Sequence, residues 1–200
     1  LAAREPQLSP YAASKQAAEQ ALQRLGDGLS WRILRPPVVY GPGDRATLPL
    51  FRQFARGFAL IPGSGGRFSM LYVEDLAAAA LAALSPEVPG GTLVEPDDGA
   101  AGGYGWAEVL AAAERQTGRP IRTLTVPRAV QRLAAALSAA GGAVTGRAPM
   151  LTQGKVNEIA HPDWVCAGPP LGDCFSWRPA VGLDEGFYRT FAWYKAAGWL

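Results

Sequence analysis

Short blocks of apolar and polar residues follow one another along the chain and predict an alternation of helices and strands. The clearest helix is predicted over Tyr11–Leu25, because Ser9 can serve as its N-cap, Pro10 fits its first position and Gly26 follows its last turn. Apolar β-prone runs predict the strands, and alanine-rich or helically spaced segments predict the other helices. Strands are predicted at 31–35, 68–73, 91–94, 121–126 and 164–165, and further helices at 48–56, 74–84, 106–117, from 127 onward, 151–160 and 183–197.

The end of the first predicted strand is marked by two prolines. Pro36 and Pro37 stop it, and Val38–Tyr40 is predicted to lead from it into a turn at 41–44. We therefore expect a loop over 36–39 at the carboxyl end of this strand. Helices that alternate with short strands indicate an α/β chain, and its second half is mainly helical.

The composition is typical of a globular chain with many loops. The 200 residues are 48% hydrophobic and 18% charged, which is enough apolar material for a sizeable core, and 24 Gly with 17 Pro predict many turns. The net charge is +2 and the basic residues are scattered singly, so the sequence shows no track for nucleic acid and no sign of an anionic membrane. The longest apolar stretch, 76–84, is too short to span a bilayer.

Histidine and cysteine are scarce, which argues against several kinds of site. His161 is the only histidine, so a zinc site would lack ligands and a Ser-His-Asp or Cys-His mechanism is disfavoured. Cys166 and Cys174 form no metal-binding pattern, and free thiols in a reducing cytoplasm are the favoured interpretation. The first residues contain no basic segment followed by an apolar one, so we expect no secretory signal.

Tyr11 and Lys15 are the most informative pair of polar residues. They lie four residues apart on the first predicted helix, so both side chains share one face. A free tyrosine titrates at about pH 10 and is a poor base at neutral pH, but a neighbouring cation stabilises a phenolate. Such a tyrosine can exchange a proton with an alcohol or ketone while a nicotinamide exchanges hydride. The same spacing occurs by chance in many helices, so the pair alone favours a structural role.

Three segments in a fixed order change that balance. Ser9–Lys15, Ile33–Asp44 and Tyr72–Asp75 resemble motifs of the extended short-chain dehydrogenase/reductase family, with the order and spacing of its NAD-dependent epimerase/dehydratase branch. The resemblance is specific over residues 9–85 and looser over 164–199, where Trp177-Arg178-Pro179 resembles the family's C-terminal tail. It implies an α/β fold with the C-terminal part of a doubly wound, Rossmann-like parallel sheet and a smaller, mainly helical substrate-binding lobe.

The same resemblance implies roles for individual residues. Tyr11 would be the general acid or base, and Lys15 would stabilise its phenolate and hold the nicotinamide ribose hydroxyls. Pro36, Val38 and Val39 would contact the nicotinamide of NAD or NADP at the carboxyl end of a late strand. Homodimers are common in the family through a bundle that includes the tyrosine helix, and the alanine-rich face of this helix permits such packing.

The cofactor-binding half of the family has no counterpart in this sequence. No glycine-rich turn precedes Tyr11, and the family's catalytic Ser or Thr would lie ahead of Leu1. We therefore expect the C-terminal portion of a longer enzyme, which needs its N-terminal portion to complete the dinucleotide site. Residues 1–45 and 68–94 are expected to be the late part of the dinucleotide-binding domain, and residues 46–67 and 95–200 the substrate-binding lobe.

Two motif positions argue against a nucleotide-diphosphate substrate. Nucleotide-sugar members of the family commonly carry Asn at the position of Val38 and Arg at that of Phe68. Arg67 lies one position away and could reach a phosphate if the strand is bulged, but a solvated or glycine-loop arginine explains it equally well. The apolar Leu48 and Phe51 favour a less charged small-molecule substrate, such as a hydroxy- or keto-lipid, a sterol-like compound or a simple sugar derivative. Ordinary helix packing explains these two residues equally well.

Several other conspicuous residues have a structural interpretation. Tyr40 is expected to be a packed aromatic residue, and Glu74 and Asp75 are expected to be acids at a helix N-terminus, where the helix dipole favours them. The helical spacing of Phe187 and Phe191 predicts that the last helix packs onto the second lobe.

Two classes of function stay open at this point. The first is a nicotinamide-dependent oxidoreductase, epimerase or dehydratase in which Tyr11 and Lys15 act at a carbinol or carbonyl carbon. The second is a non-catalytic relative that keeps the fold and binds the dinucleotide as a structural or regulatory subunit. The presence of both Tyr11 and Lys15 favours the first class.

Overall fold

Helices alternate with short parallel strands in the computed structural model, which describes residues 9–63, 65–145, 152–168 and 176–200. The helices are α1 (Pro10–Arg24), α2 (Leu48–Ala55), α3 (Val73–Ala83), α4 (Trp106–Thr117), α5 (Arg128–Thr145), α6 (Gln153–Ile159) and α7 (Leu183–Ala196). The strands are β1 (Arg32–Leu34), β2 (Val38–Tyr40), β3 (Phe58–Pro62), β4 (Arg67–Phe68), β5 (Met70–Tyr72), β6 (Thr92–Val94), β7 (Arg122–Val126) and β8 (Asp163–Trp164).

The strands associate in pairs, and the register is parallel in three of these pairs. β1 lies beside β6 with Ile33 opposite Leu93, β2 beside β5, and β4 beside β8. β3 pairs with β7. Parallel strands joined through helices are the pattern of a Rossmann-like α/β fold, so the predicted fold class is confirmed.

Two strand predictions are wrong in detail. The loop expected over 36–39 is only partly a loop, because Val38 and Val39 belong to β2, which takes its own parallel partner in β5. The single strand expected over 68–73 is divided at Ser69 into β4 and β5, which pair with different strands. β3 was not expected at all.

The chain divides into two compact units. One comprises Leu1–Leu29, Ile61–Ser64 and Thr125–Pro162, and it includes α1, α5 and α6. The other comprises Ser30–Leu60, Gly65–Leu124 and Asp163–Leu200. The division into a dinucleotide-binding domain and a substrate-binding lobe stays a prediction.

An aromatic cluster forms one part of the core of the second unit. Phe51 of α2 packs edge-on against Phe191 and Tyr194 of α7, with ring centroids 5.0 and 5.4 Å away. Tyr40 of β2 and Phe187 of α7 continue the cluster at a centroid distance of 5.5 Å. The predicted packing role of the last helix is therefore confirmed.

A second part of the same core lies under α3. Its alanine side packs with Leu71 of β5, Val94 of β6 and Trp177. These residues are at most 8% exposed, so they hold α3 firmly against the strands. Among the helices of the described residues, none is both long enough and apolar enough to cross a membrane.

Candidate active site

The N-terminus of α1 is fixed by local hydrogen bonds. The hydroxyl of Ser9 accepts the backbone N–H of Ala12 at 3.1 Å, and Pro10 occupies the first turn, as predicted. The same hydroxyl donates to the carboxylate of Glu158 in α6. A Cβ atom on Gly154 of α6 would lie 2.7 Å from the Ser9 Cβ, so the glycine allows α6 to approach this cap closely. The first turn, which carries Tyr11, is thus tied to the rest of its unit.

Tyr11 and Lys15 lie side by side on α1. The Nζ of Lys15 is 5.5 Å from the centroid of the Tyr11 ring, and the Tyr11 side chain is 67% exposed. The hydroxyl of Ser14 donates to the backbone carbonyl of Tyr11 at 2.7 Å, within the helix. One helical face therefore presents a phenol and an ammonium group together to the outside of the unit, which is the arrangement that the four-residue spacing predicts.

The residues after β1 lie at the carboxyl end of a parallel strand, in the second unit. The backbone N–H of Arg35 continues the β1–β6 pairing with a 2.9 Å bond to the carbonyl of Val94. Pro36 and Val38 are exposed, and Val39 is half-buried. Beside them, the Arg35 guanidinium and the Glu95 carboxylate lie 3.5 Å apart. This edge of the strand pair is where ligands of open α/β sheets bind.

Arg67 makes its polar contacts within the second unit. Its Nε donates to the carbonyl of Gly102 at 2.7 Å, and its Nη2 to the carbonyl of Gly103 at 2.6 Å. Its Nη1 lies 3.2 Å from the Glu108 carboxylate at the start of α4. The guanidinium therefore holds the glycine-rich loop before α4. The neighbouring Phe68 packs against the Trp106 ring, with centroids 5.5 Å apart.

Leu48 and Phe51 face the interior of their unit. Leu48 is 9% exposed and Phe51 is 1% exposed. Phe51 contacts several aromatic rings of α7. The positions of Leu48 and Phe51 therefore agree with ordinary helix packing, which was the alternative interpretation of these two residues. Their predicted contact with substrate is not tested by this placement.

A half-buried polar cluster near β5 and β6 was not singled out from the sequence. The hydroxyl of Ser69 donates to the Asp97 carboxylate at 2.9 Å and accepts the backbone N–H of Cys166 at 3.1 Å. The hydroxyl of Tyr104 donates to the Asp98 carboxylate at 2.7 Å. Burial raises the pKa of Asp98, and the bond from Tyr104 opposes that shift. The sequence does contain a signal that could have revealed this cluster. Asp97 and Asp98 are adjacent acids that closely follow strand β6, and the carboxyl ends of parallel strands are where ligands bind.

Cys166 is a free thiol beside this cluster. Burial, and after it the negative charge of Asp97, raise the pKa of the Cys166 thiol to about 11. The predicted unreactive character of Cys166 agrees with these surroundings. Cys174 lies outside the described residues. Within the described ranges, no group of three or more His, Cys, Asp or Glu side chains could hold a metal ion.

Comparison with solved structures gives the fold an independent reference. UDP-glucose 4-epimerase from Thermus thermophilus, solved in complex with NAD, is 27% identical in sequence. The superposition has a TM-score of 0.64 and covers 96% of this chain and 56% of that one. Over almost its whole length, this chain therefore has the same α/β fold as the matching part of that epimerase.

Sequence comparison gives two relatives and a family. The ceramide reductase of Caulobacter vibrioides (strain NA1000 / CB15N) is 40% identical over 201 residues, a match that spans this whole chain and 62% of the relative's length. The 2-alkyl-3-oxoalkanoate reductase of Stenotrophomonas maltophilia (strain K279a) is 27% identical over 92% of this chain and 58% of its own length. Residues 2–94 match the model of the NAD dependent epimerase/dehydratase family. These residues, which contain Tyr11, Lys15 and the end of β1, are thus the part of the chain that matches the NAD dependent epimerase/dehydratase family.

Proposed function

We propose that the protein containing this chain is an NAD(P)-dependent reductase that converts a ketone of a lipid-like substrate to an alcohol. The observation that carries the proposal is the shared face of Tyr11 and Lys15 on α1, with the ammonium 5.5 Å from the phenol ring. The 40% identity to a ceramide reductase supports the direction of the reaction and the substrate class. The chain spans 62% of that relative, so this activity is proposed for the full-length protein.

Tyr11 and Lys15 divide the proton chemistry between them. When bound, a nicotinamide dinucleotide supplies hydride to the carbonyl carbon. Tyr11 donates the phenol proton to the carbonyl oxygen as that oxygen gains negative charge, and the cationic Lys15 stabilises the phenolate that remains. Lys15 also donates hydrogen bonds to ribose hydroxyls. The exposed phenol and ammonium groups fit these tasks, because both can be reached from outside their unit.

The end of β1 is the proposed contact for the nicotinamide. Pro36 and Val38 offer exposed apolar surface, and the carbonyls of the segment offer acceptors for an amide group. Val39 is held in β2 by parallel pairing with β5, so the segment has a fixed path. Apolar side chains on a segment with a fixed path suit a planar aromatic ring. Both NAD and NADP fit this proposal.

The proposed substrate carries alkyl chains and no nucleotide diphosphate. The positions at which nucleotide-sugar enzymes commonly carry Asn and Arg are held by Val38 and Phe68. Arg67 is engaged with Gly102, Gly103 and Glu108. Two relatives with reductase activity in their names act on a ceramide and on an oxoalkanoate with an alkyl branch. A ketone flanked by alkyl chains agrees with these observations.

The decisive experiment replaces Tyr11 with phenylalanine in the full-length protein. The expected result is dinucleotide binding close to wild type and a turnover lower by on the order of 10²–10⁴-fold on a 2-alkyl-3-oxoalkanoate or a short-chain 3-oxoceramide. Oxidation of the reduced nicotinamide, followed by its absorbance, measures the rate. Tyr188→Phe removes a hydroxyl from another exposed tyrosine, on α7, and should leave the rate unchanged.

The alternative of a non-catalytic dinucleotide-binding subunit predicts a different pattern. Wild-type protein would then bind the dinucleotide and oxidise none of it with any of these ketones. Wild-type turnover that persists in Tyr11→Phe would instead remove the assigned role of the tyrosine and leave the reductase assignment in place.

A further inference from the structure

Glu95, the residue directly after β6, bridges two segments that meet at the carboxyl ends of β1 and β6. Its Oε1 atom lies 3.5 Å from the Nη1 atom of Arg35, and its Oε2 atom accepts the backbone N–H of Ala167 at 3.1 Å. The side chains of Glu95 and Arg35 are 25% and 32% exposed, so water screens this ion pair less than a pair on the open surface. One carboxylate thus ties the segment after β8 to the end of β1.

Arg35 places a cation at the end of the strand where the nicotinamide is proposed to bind. It directly precedes Pro36 in the chain, and its backbone N–H is fixed by a 2.9 Å bond to the carbonyl of Val94. Hydride transfer moves a proton and two electrons from the neutral reduced ring to the carbonyl carbon, so it leaves a positive charge on the ring. A lone guanidinium beside Pro36 and Val38 would oppose that charge.

The two acids that follow Glu95 are bound to other groups. The hydroxyl of Ser69 donates to the Asp97 carboxylate at 2.9 Å, and the hydroxyl of Tyr104 donates to the Asp98 carboxylate at 2.7 Å. Glu95 is the acid of this loop that forms an ion pair with the guanidinium at the end of β1. The balance of charge at this edge therefore depends on whether both members of that pair are present.

We propose that Glu95 neutralises Arg35 beside the nicotinamide and thereby allows the ring to become cationic when it gives up hydride. Glu95 acts through Arg35, so it is a positioning residue and not a catalytic one. The inference rests on the proposed function, because it needs a nicotinamide bound at Pro36 and Val38. It predicts opposite effects for the two partners. Without Glu95, the guanidinium disfavours the oxidised dinucleotide, and without Arg35, the carboxylate favours it.

Dinucleotide binding by the full-length protein tests the proposal, with the reduced and oxidised forms of NAD and NADP as probes. Fluorescence of the reduced nicotinamide gives the Kd of the reduced form, and its displacement gives the Kd of the oxidised form. Glu95→Gln should raise the ratio of oxidised to reduced Kd by about three- to tenfold, and Arg35→Gln should lower it by a similar factor. Arg35→Gln/Glu95→Gln should return the ratio close to that of wild type. The glutamine oxygen in Glu95→Gln can still accept the N–H of Ala167, so this variant mainly removes the charge.

The matched control is Glu87→Gln, which removes the same charge at an exposed position before β6 and should leave the ratio unchanged. A purely structural role of Glu95 would weaken the binding of both forms equally. A ratio that stays constant in both single variants, or that moves in the same direction in both, therefore overturns the proposal. Circular dichroism and thermal melting verify that each variant is folded, and Arg35→Gln decides the question if Glu95→Gln is not.

The outcomes separate this proposal from the reductase assignment, since the ratio of Kd values is measured without turnover. If the two single variants shift the ratio in opposite directions and wild-type protein reduces no ketone, only the reductase assignment fails. If wild-type protein reduces a ketone and the ratio does not respond to either variant, only the role of Glu95 fails. Wild-type protein that binds neither form of the dinucleotide overturns both.

Discussion

The carboxylate of Asp75 in the first turn of α3 accepts the backbone N–H of Val181 at 2.9 Å, across 106 residues of chain. Its other oxygen accepts the backbone N–H of Ala180 at 3.1 Å. Asp75 is 5% exposed, so this buried charge is satisfied by two donors from the segment that leads into α7. The motif acid thus fastens the end of the chain to the strand-and-helix core, in addition to its favourable place at a helix N-terminus.

Removal of the Asp75 carboxylate is expected to destabilise the fold. Asp75→Ala leaves two buried N–H groups without acceptors, which should lower the free energy of unfolding by about 3 kcal/mol and the melting temperature by roughly 6–12 °C. Asp75→Asn keeps one acceptor and should have an intermediate effect. Thermal melting followed by circular dichroism measures the change. The adjacent Glu74 is exposed and paired with Arg189, so Glu74→Ala should change little. Equal effects at the two positions would contradict the role of Asp75.

Local signals in the sequence were sufficient for most of the helices. α4 begins and ends where expected, since Gly118 adopts a φ of +68° that ends the helix and that few other residues tolerate. α1 likewise has its predicted Ser9 cap. In the candidate site, the closeness of Tyr11 and Lys15 follows from the helical period alone and was predictable for that reason.

Long-range pairing explains what could not be predicted. Val38–Tyr40 is a strand only because β5 lies beside it, and β4 is separated from β5 at Ser69, whose backbone N–H donates to the carbonyl of Trp164 at 3.1 Å. The contact of Ser69 with Asp97 depends in the same way on the fold. No periodicity encodes such pairs, since their partners lie far apart along the chain.

Gly186 in α7 is expected to be intolerant of a side chain. Replacement of a helical glycine by alanine normally stabilises a helix by about 1 kcal/mol. Here a Cβ atom would lie 2.2 Å from the Oη atom of Tyr40, a buried ring that packs against Tyr72 and Phe187. The overlap should reverse the sign, so Gly186→Ala should destabilise the protein by about 1–3 kcal/mol in denaturant titration.

Two further variants control this result. Beyond its own turn of α5, a Cβ atom added to Gly141 would meet none of the described atoms within 4 Å, so Gly141→Ala should give the ordinary helix stabilisation. Tyr40→Phe removes the overlapping hydroxyl, which is buried and has no hydrogen-bond partner among the described residues, and should itself cost little stability. Combined with Gly186→Ala, it should recover part of the loss. A double variant no more stable than Gly186→Ala would argue against this contact as the cause.

Cys166 should react slowly with alkylating reagents at neutral pH. Only the thiolate is nucleophilic, and with a pKa of about 11 the thiol is almost wholly protonated near neutrality. In a Cys174→Ser background, the rate of reaction with iodoacetamide should keep rising as the pH increases towards that value. Asp97→Asn removes a negative charge that raises the pKa, so its rate profile should move to lower pH. If the reaction rate in the protein with Asp97 intact has its midpoint at the ordinary thiol pKa, burial does not raise the pKa of Cys166 and the prediction is wrong.

The bond between Tyr104 and Asp98 predicts a pH-dependent loss of stability. Burial raises the pKa of Asp98, and the 2.7 Å bond from the Tyr104 hydroxyl opposes this by stabilising the carboxylate. Tyr104→Phe should therefore raise the pKa of Asp98 further, as measured by carboxyl carbon chemical shifts. Because a raised folded-state pKa favours the fold at low pH and loses that benefit as the carboxyl ionises, the variant should be about 1–2 kcal/mol less stable than wild type at neutral pH. Below the pKa of the unfolded carboxyl the deficit should shrink, since Asp98 is then protonated in both states. The control Tyr188→Phe, at an exposed position, should show no such pH dependence. If the loss of stability in Tyr104→Phe is the same at low and at neutral pH, the effect comes from packing and not from the charge of Asp98.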